Sequence, residues 1–326
     1  MPIHHDADYS EPIFLGNSHF QTVVPALLRF TFGVKYTRER LETHDGDFID
    51  IDWSRMGHKR LLILSHGLEN SSKAPYVTGM VKYFNKRGWD ALAWNFRGCS
   101  GELNRTIGFY HPGQTDDYQL VLSRALEEGY EEIVLAGFSL GGAITLRYLG
   151  EKGQKIAPQV RAAVVFSVPT DLGACARHLS TGQQAWYGKG FLYFYKKKMV
   201  MKEKLRPGTY DLKLWDKIRT MVEFDTAFNV PWYNFRDVDD FYTSISSQPL
   251  LPKISVPTLI VNAENDPFLP PSCYPVRYAG ANKHLHLEVP EMGGHVGFMT
   301  MNWKGIYWSE GRAEAFLESL GMKSTA

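Results

Sequence analysis

The sequence predicts an α/β protein: a mostly parallel central sheet covered by helices on both faces, interrupted once by a mostly helical cap insertion. Three observations carry that expectation. Short apolar runs alternate with segments of helical period from Arg60 to Pro169 and resume at Val256. Runs such as "RLLILS" are continuously apolar rather than alternating, as strands covered on both faces must be. Between about Asp171 and Ser247 the rhythm stops, and the aromatic-rich chain there is too long for a loop. The expected division is therefore a core of residues 1–170 and 248–326 and a helical insertion of residues 171–247.

In order, "TRERLETHDGDFIDIDWS" reads as a hairpin turning at "HDGD". "RLLILSHG" is a strand. Pro75 opens a helix with Tyr76, Val77, Met80, Val81 and Phe84 on one stripe. "WDALAWNFRG" is a strand, and a helix starts near Asp116 with Tyr118, Val121, Leu122, Ala125 and Leu126 inward. "EIVLAGFS", "LGGAITLRYLGEKG" and "VRAAVVFSVP" continue as strand, helix and strand. In the insertion, "FLYFYKKKMVMKEKLR" and "KLWDKIRTMVEFDTAF" read as helices. "VPTLIVNAEND" and "KHLHLEVPEMGGH" supply two last strands, and a helix carrying Ala313, Phe316, Leu317 and Leu320 stops at Gly321.

Composition excludes several function classes. The 326 residues are 44% hydrophobic and 22% charged with a formal net charge of +1, so no global field points to nucleic acid or an acidic membrane. The three cysteines are scattered and odd in number, which suits a reducing compartment, and a cytoplasmic location is expected. The opening "MPIHHDADYSEP" has none of the basic and apolar regions of a signal peptide. The apolar patch "FQTVVPALLRFTFGV" is broken by Pro25 and Arg29 and too short to span a bilayer, so no stable membrane insertion is expected. No glycine loop suits a nucleotide and no histidine–carboxylate cluster has metal-ligand spacing; neither cofactor nor metal is expected.

Chemistry concentrates at Gly137-Phe138-Ser139-Leu140-Gly141, which matches G-x-S-x-G between a predicted strand and a predicted helix. That setting lifts a serine oxygen clear of the sheet at a helix N-terminus with free N–H groups. A hydroxyl needs a base. His295, in the glycine-rich "GGHVGF" after the last strand, is the candidate; His178, His284 and His286 read as structural or solvated. A carboxylate must fix the imidazole tautomer. Asp266, held extended by Pro267 at a strand's carboxyl end, is the first choice, with Glu264 and Asp171 as rivals. An oxyanion hole would use the N–H of Leu140 and, from "SHGLENSS", that of Leu68. His66 beside it reads as a packing or hydrogen-bonding residue.

With these residues in place, the chain resembles the α/β-hydrolase-fold serine hydrolases, and more narrowly their YheT-like branch with its eukaryotic α/β-hydrolase-domain relatives, which are carboxylesterases and acyl-ester hydrolases. The resemblance runs through "GNSHFQTVVP", "SHGLENSSKAPYV", "NFRGCSGELNR", "YHPGQTDD", "GFSLGG", "EFDTAFNVPWYNF", "NAENDPF" and "GGHVGF". It implies a triad of Ser139, Asp266 and His295 in that chain order, with Leu68 and Leu140 as oxyanion donors. Phe20 stands where the pattern has leucine.

The expected activity is hydrolysis of small-molecule carboxylic esters with short-to-medium acyl chains through an acyl-enzyme. Insertion aromatics such as Trp186, Phe191, Tyr195 and Phe224 would wall the acyl site. The alternatives are an acyltransferase with an alcohol or thiol acceptor and a non-catalytic binding protein on the same scaffold. Lys196, Lys197 and Lys198 are expected on a solvated helix face, Thr115, Asp116 and Asp117 as helix caps, and Arg97 in an ion pair.

Overall fold

Strands apolar on both faces must lose water on both, and helices cover each side of the sheet they form. The computed structural model describes residues 3–4, 9–12, 16–301 and 305–323. The strands are β1 (Ile3–His4), β2 (Thr37–Glu42), β3 (Phe48–Ser54), β4 (Arg60–Ser65), β5 (Asp90–Trp94), β6 (Glu132–Phe138), β7 (Val160–Phe166), β8 (Thr258–Val261) and β9 (Leu285–Glu288). They form one sheet in the order β1-β9-β8-β7-β6-β4-β5-β3-β2. β2 and β3 pair antiparallel, as does β3 with β5; every other pair is parallel.

The helices are α1 (Ser18–Leu28), α2 (Pro75–Asn85), α3 (Thr115–Glu127), α4 (Leu140–Lys152), α5 (Leu172–His178), α6 (Ala185–Leu205), α7 (Met221–Phe224), α8 (Val230–Trp232), α9 (Val238–Ile245), α10 (Val276–Ala281) and α11 (Trp308–Ser319). Among the described residues none is long and apolar enough to cross a membrane. Val77, Met80, Val81 and Phe84 of α2 pack with Ala313, Phe316 and Leu317 of α11 against one face. Tyr118, Val121 and Leu122 of α3 and Ile144 and Tyr148 of α4 belong to the core on the other. Each such side chain contributes roughly 1.5–3 kcal/mol by leaving water.

The order places the site. From β4 the chain moves outward to β5, then returns to lay β6 on the opposite side of β4. The crevice at the carboxyl ends of β4 and β6 is thus a topological switch point, where open α/β sheets bind ligands.

The insertion departs from expectation in its second half. One helix was predicted over "KLWDKIRTMVEFDTAF"; instead a 3₁₀ turn at Leu214–Lys217, α7, a π-helical turn at Asp225–Asn229 and α8 follow one another. The capping box of Thr220 and Glu223 starts α7 afresh, which separates it from the turn before. Leu320 is exposed rather than part of the inward stripe of α11. Asp117 caps nothing: it is buried in a bidentate pair with Arg97, at 2.8 and 2.7 Å, and Arg97 also reaches Asp45 at 2.5 Å. Among the predicted solvated lysines, Lys198 turns inward and meets Glu69 at 2.9 Å.

Candidate active site

The turn between β6 and α4 holds Ser139 at φ +53°, a conformation that costs an L-residue about 1–3 kcal/mol unless its surroundings fix it. The surroundings do. The Ser139 N–H donates to Phe166 O of β7 at 2.9 Å, and Ser139 O accepts the Ala143 N–H at 3.1 Å, which starts the helix. Gly141 is required by close approach: a Cβ there would overlap the carbonyl oxygens of Ser65 and His66, so α4 rests directly on the end of β4. Gly137 is excluded from bulk in the same way, with a Cβ falling 2.5 Å from Gly141 O.

His295 lies on the loop after β9. Its Nε2 is 2.8 Å from Ser139 Oγ, and its Nδ1 is 2.9 and 3.1 Å from the two oxygens of Asp266. Asp266 follows β8, is buried, and also accepts the Phe268 N–H at 2.8 Å. The His295 ring stacks on Phe268 with centroids 3.9 Å apart. Sequence order had left three carboxylates open, and the structure joins Asp266 to the histidine. Asp171 instead caps α5 by accepting the Ala174 N–H at 3.0 Å, and Glu264 is exposed.

What holds the histidine loop was not read from residue types. Gln21 and Thr22, on α1, do it. The Gly293 N–H donates to Gln21 Oε1 at 2.8 Å, and the His295 N–H donates to Thr22 Oγ1 at 2.9 Å. Asn265 donates to the same Gln21 oxygen at 3.0 Å and accepts the Gly294 N–H at 3.0 Å. Ser167, after β7, accepts the Val296 N–H at 2.8 Å. A Cβ on Gly297 would overlap Gln21 O, so loop and helix touch backbone to backbone. The signal for these residues was "HFQT" within the family resemblance, which carried no stated role.

The loop after β4 brings Leu68 beside Ser139. The Gly67 N–H donates to the Tyr76 hydroxyl at 2.9 Å, and the Glu69 N–H to the Tyr110 hydroxyl at 2.8 Å. Glu69, at φ +53°, is further held by Lys198 of α6. The N–H groups of Leu68 and of Leu140, the first residue of α4, meet no hydrogen-bond acceptor among the described residues. His66 takes the bland role expected of it: Nδ1 donates to Gly67 O at 2.7 Å, Nε2 accepts the Phe96 N–H at 3.1 Å, and full burial pushes its pKa down to about 3.

Two clefts meet at Ser139. One, of about 740 Å³ with its open mouth, runs under the insertion and is lined by Leu140, Leu172, Tyr195, Phe241 and Ile245. The other, of about 970 Å³, runs toward α1 past Val296 and Thr22. Ser139, His295, Leu68, Phe191 and Phe268 line both. Among the described residues no cluster of three histidine, cysteine or carboxylate side chains could hold a metal ion.

Comparison with known proteins agrees with this architecture. The alpha/beta hydrolase fold family matches over residues 60–301. YheT of Escherichia coli (strain K12), which carries a provisional esterase designation, is 36% identical over 292 residues, 87% of this chain and 84% of that one. The phospholipase ABHD3 of Mus musculus is 28% identical over 307 residues, 90% of this chain and 74% of that one. A Pyrococcus furiosus esterase, Pf2001, superposes with a TM-score of 0.58 at 18% identity, over 88% of this chain and 91% of its own. At that identity the likeness speaks for the fold. Sheet order, the strand–serine–helix turn and the family match together make this chain a hydrolase belonging to the alpha/beta hydrolase fold family.

Proposed function

We propose that the protein hydrolyses carboxylic esters through an acyl-enzyme, with Ser139 as nucleophile, His295 as base, Asp266 as the carboxylate behind it, and the N–H groups of Leu68 and Leu140 as oxyanion donors. The observation that carries the reading is the unbroken hydrogen-bond chain from Ser139 Oγ through both nitrogens of His295 to Asp266. Ser139 Oγ attacks the acyl carbonyl carbon as its proton passes to His295 Nε2, while Asp266 keeps the Nδ1–H tautomer and stabilises the imidazolium. Two N–H donors aimed at the oxyanion are worth about 3 kcal/mol each in the transition state. His295 then protonates the departing alcohol, and water repeats the sequence on the acyl-enzyme.

The proposal also gives each cleft a role. In this reading the acyl chain lies under the insertion, whose wall is mainly apolar, and the alcohol leaves by the cleft past Val296 and α1. In this reading residues 171–247 act as a cap that makes the acyl wall. Each buried methylene adds about 0.8 kcal/mol, so short-to-medium acyl esters should surpass acetate. A second reading, lipid esters met at an interface, has one observation in its favour. Leu27, which lines the α1 cleft, and Leu28, Phe30 and Phe32 after it stand exposed. A fluorophosphonate probe tests the core of the proposal: one adduct at Ser139 and none in Ser139→Ala are expected, and labelling that survives Ser139→Ala would refute it. Rates on p-nitrophenyl esters of increasing acyl length, with and without detergent micelles or alcohol acceptors, separate the substrate readings.

A further inference from the structure

The cleft under the insertion is walled mainly by leucine, isoleucine and aromatic side chains, yet a carboxylate, Asp225, stands in that wall. Its oxygens each accept one bond, from the Tyr242 hydroxyl at 2.5 Å and from Asn229 Nδ2 at 2.6 Å. A carboxylate offers about four acceptor positions, so half its capacity is unused. No arginine, lysine or histidine among the described residues forms an ion pair with it. Burial pushes its pKa up to about 7.

Two further features mark the place. Asp225 opens the π-helical turn Asp225–Asn229, a local unwinding often found at functional sites. Tyr195 of α6 lines the same cleft, with its ring stacked on Phe224 at 4.6 Å, and its hydroxyl takes part in no hydrogen bond among the described residues. A side chain whose only task was to tie α9 to the π turn would need no acceptor capacity beyond those two bonds. An acceptor with spare capacity and an unengaged phenol are what a hydroxyl group requires, since a hydroxyl both donates and accepts.

We propose that Asp225 and Tyr195 form a subsite for a hydroxyl group carried on the acyl chain, which makes hydroxyacyl esters the preferred substrate class. This rests on the reading of Ser139 as nucleophile and of the cleft under the insertion as the acyl site. The substrate hydroxyl donates to Asp225 and accepts from Tyr195. A plain alkyl chain in the same place strips water from Asp225 and returns no bond. Sites built to bond a hydroxyl discriminate strongly against the analogue without it.

The test is kcat/KM on p-nitrophenyl esters in matched pairs, plain acyl against hydroxyacyl, with the hydroxyl moved one carbon at a time. One position should exceed its plain counterpart by about tenfold or more. Asp225→Asn should erase most of that preference, and Tyr195→Phe, which keeps the ring stack and does not touch Asp225, should weaken it. Fluorophosphonate labelling of each variant reports that the elbow and base are intact. A preference absent at every position, or one that persists in both variants, overturns the subsite. A greater preference for aminoacyl esters overturns the hydroxyl assignment. Failure of the wild type to label at Ser139 removes the esterase reading and the subsite with it.

Discussion

Ser139 sits on a turn closed by its immediate neighbours and the adjacent strands, whereas the His295 loop is tied to α1 by hydrogen bonds spanning 272 and 273 positions of sequence. The elbow's tolerance is steric: carbonyl oxygens of β4 leave Gly141 no room for a Cβ. The histidine loop shares such a close contact at Gly297 but adds polar ties that the elbow lacks: Gln21, Thr22, Asn265 and Ser167 answer its N–H groups one by one. A hydroxyl and an imidazole that meet at 2.8 Å are therefore positioned by different balances of close packing and hydrogen bonding. Damage to one should be all-or-none, and damage to the other graded.

The largest effect should come from the residue that orients the base itself. Asp266→Asn is expected to lower kcat/KM by about 10⁴, because the wrong tautomer then faces Ser139. Asp171→Asn, which removes only a helix cap, should stay within a few-fold of wild type. Steady-state kinetics on one p-nitrophenyl ester decide it, and a crippled Asp171→Asn would reverse the choice of acid.

Gly141→Ala should break the elbow as a unit. The added methyl meets backbone rather than a flexible side chain, so a loss of about 3 kcal/mol or more is expected. Urea denaturation should show that loss together with lost labelling. A stable, labelled Gly141→Ala protein would mean that α4 can lift from β4 without consequence.

Gln21→Ala should behave differently. It leaves the Gly293 N–H and an Asn265 amide N–H without their acceptor and empties the space of one buried polar side chain. We expect kcat to fall about 10- to 100-fold, as for the loss of groups that orient a reacting residue, with KM little changed and a smaller stability loss than in Gly141→Ala. Equal losses of activity and stability would place Gln21 with the elbow glycines instead.

The smallest effect concerns pH. His66 beneath the elbow and His111 in the cleft wall are both pushed by burial down to about 3. The unfolded chain takes up a proton near pH 6.5 that the folded protein refuses. Their contribution is therefore complete above about 6.5 and is lost as the pH falls toward 3. Unfolding free energies from urea titrations at pH 7 and pH 5 should differ by on the order of 1–2 kcal/mol more in wild type than in His111→Gln.

Legibility in the sequence follows the same divide. The elbow could be read because its glycines, serine, strand and helix are contiguous, and β4 to β7 could be read because apolar runs have no helical alternative of that length. Asp266 and His295 were legible as loop residues at strand ends, and Asp266 was the first choice of carboxylate; Glu264 and Asp171 stayed as rivals because loop paths decide which one meets the imidazole. α1 escaped because Pro25 and Arg29 seemed to break its apolar run, yet Arg29 is buried against Glu310 and the Tyr307 ring. Lys198 was misjudged because three consecutive lysines resemble a wet face. The spacing of Leu192, Tyr195, Met199 and Lys202 marks the buried side of α6, and Lys198 flanks it. Asp117 looked like a cap because its buried partner, Arg97, comes from the end of another strand.

The Arg29–Glu310 pair has a consequence for how the chain becomes active. It clasps the segment that supports the histidine loop to the last helix. Everything the serine needs is complete once β7 has joined the sheet. In the proposed mechanism the base, His295, is aligned only after Gln21 and Thr22 of α1 have met its loop. During refolding, native-like secondary structure should therefore return before turnover, and an esterase assay would time the closure of the molecule's ends rather than the formation of its core.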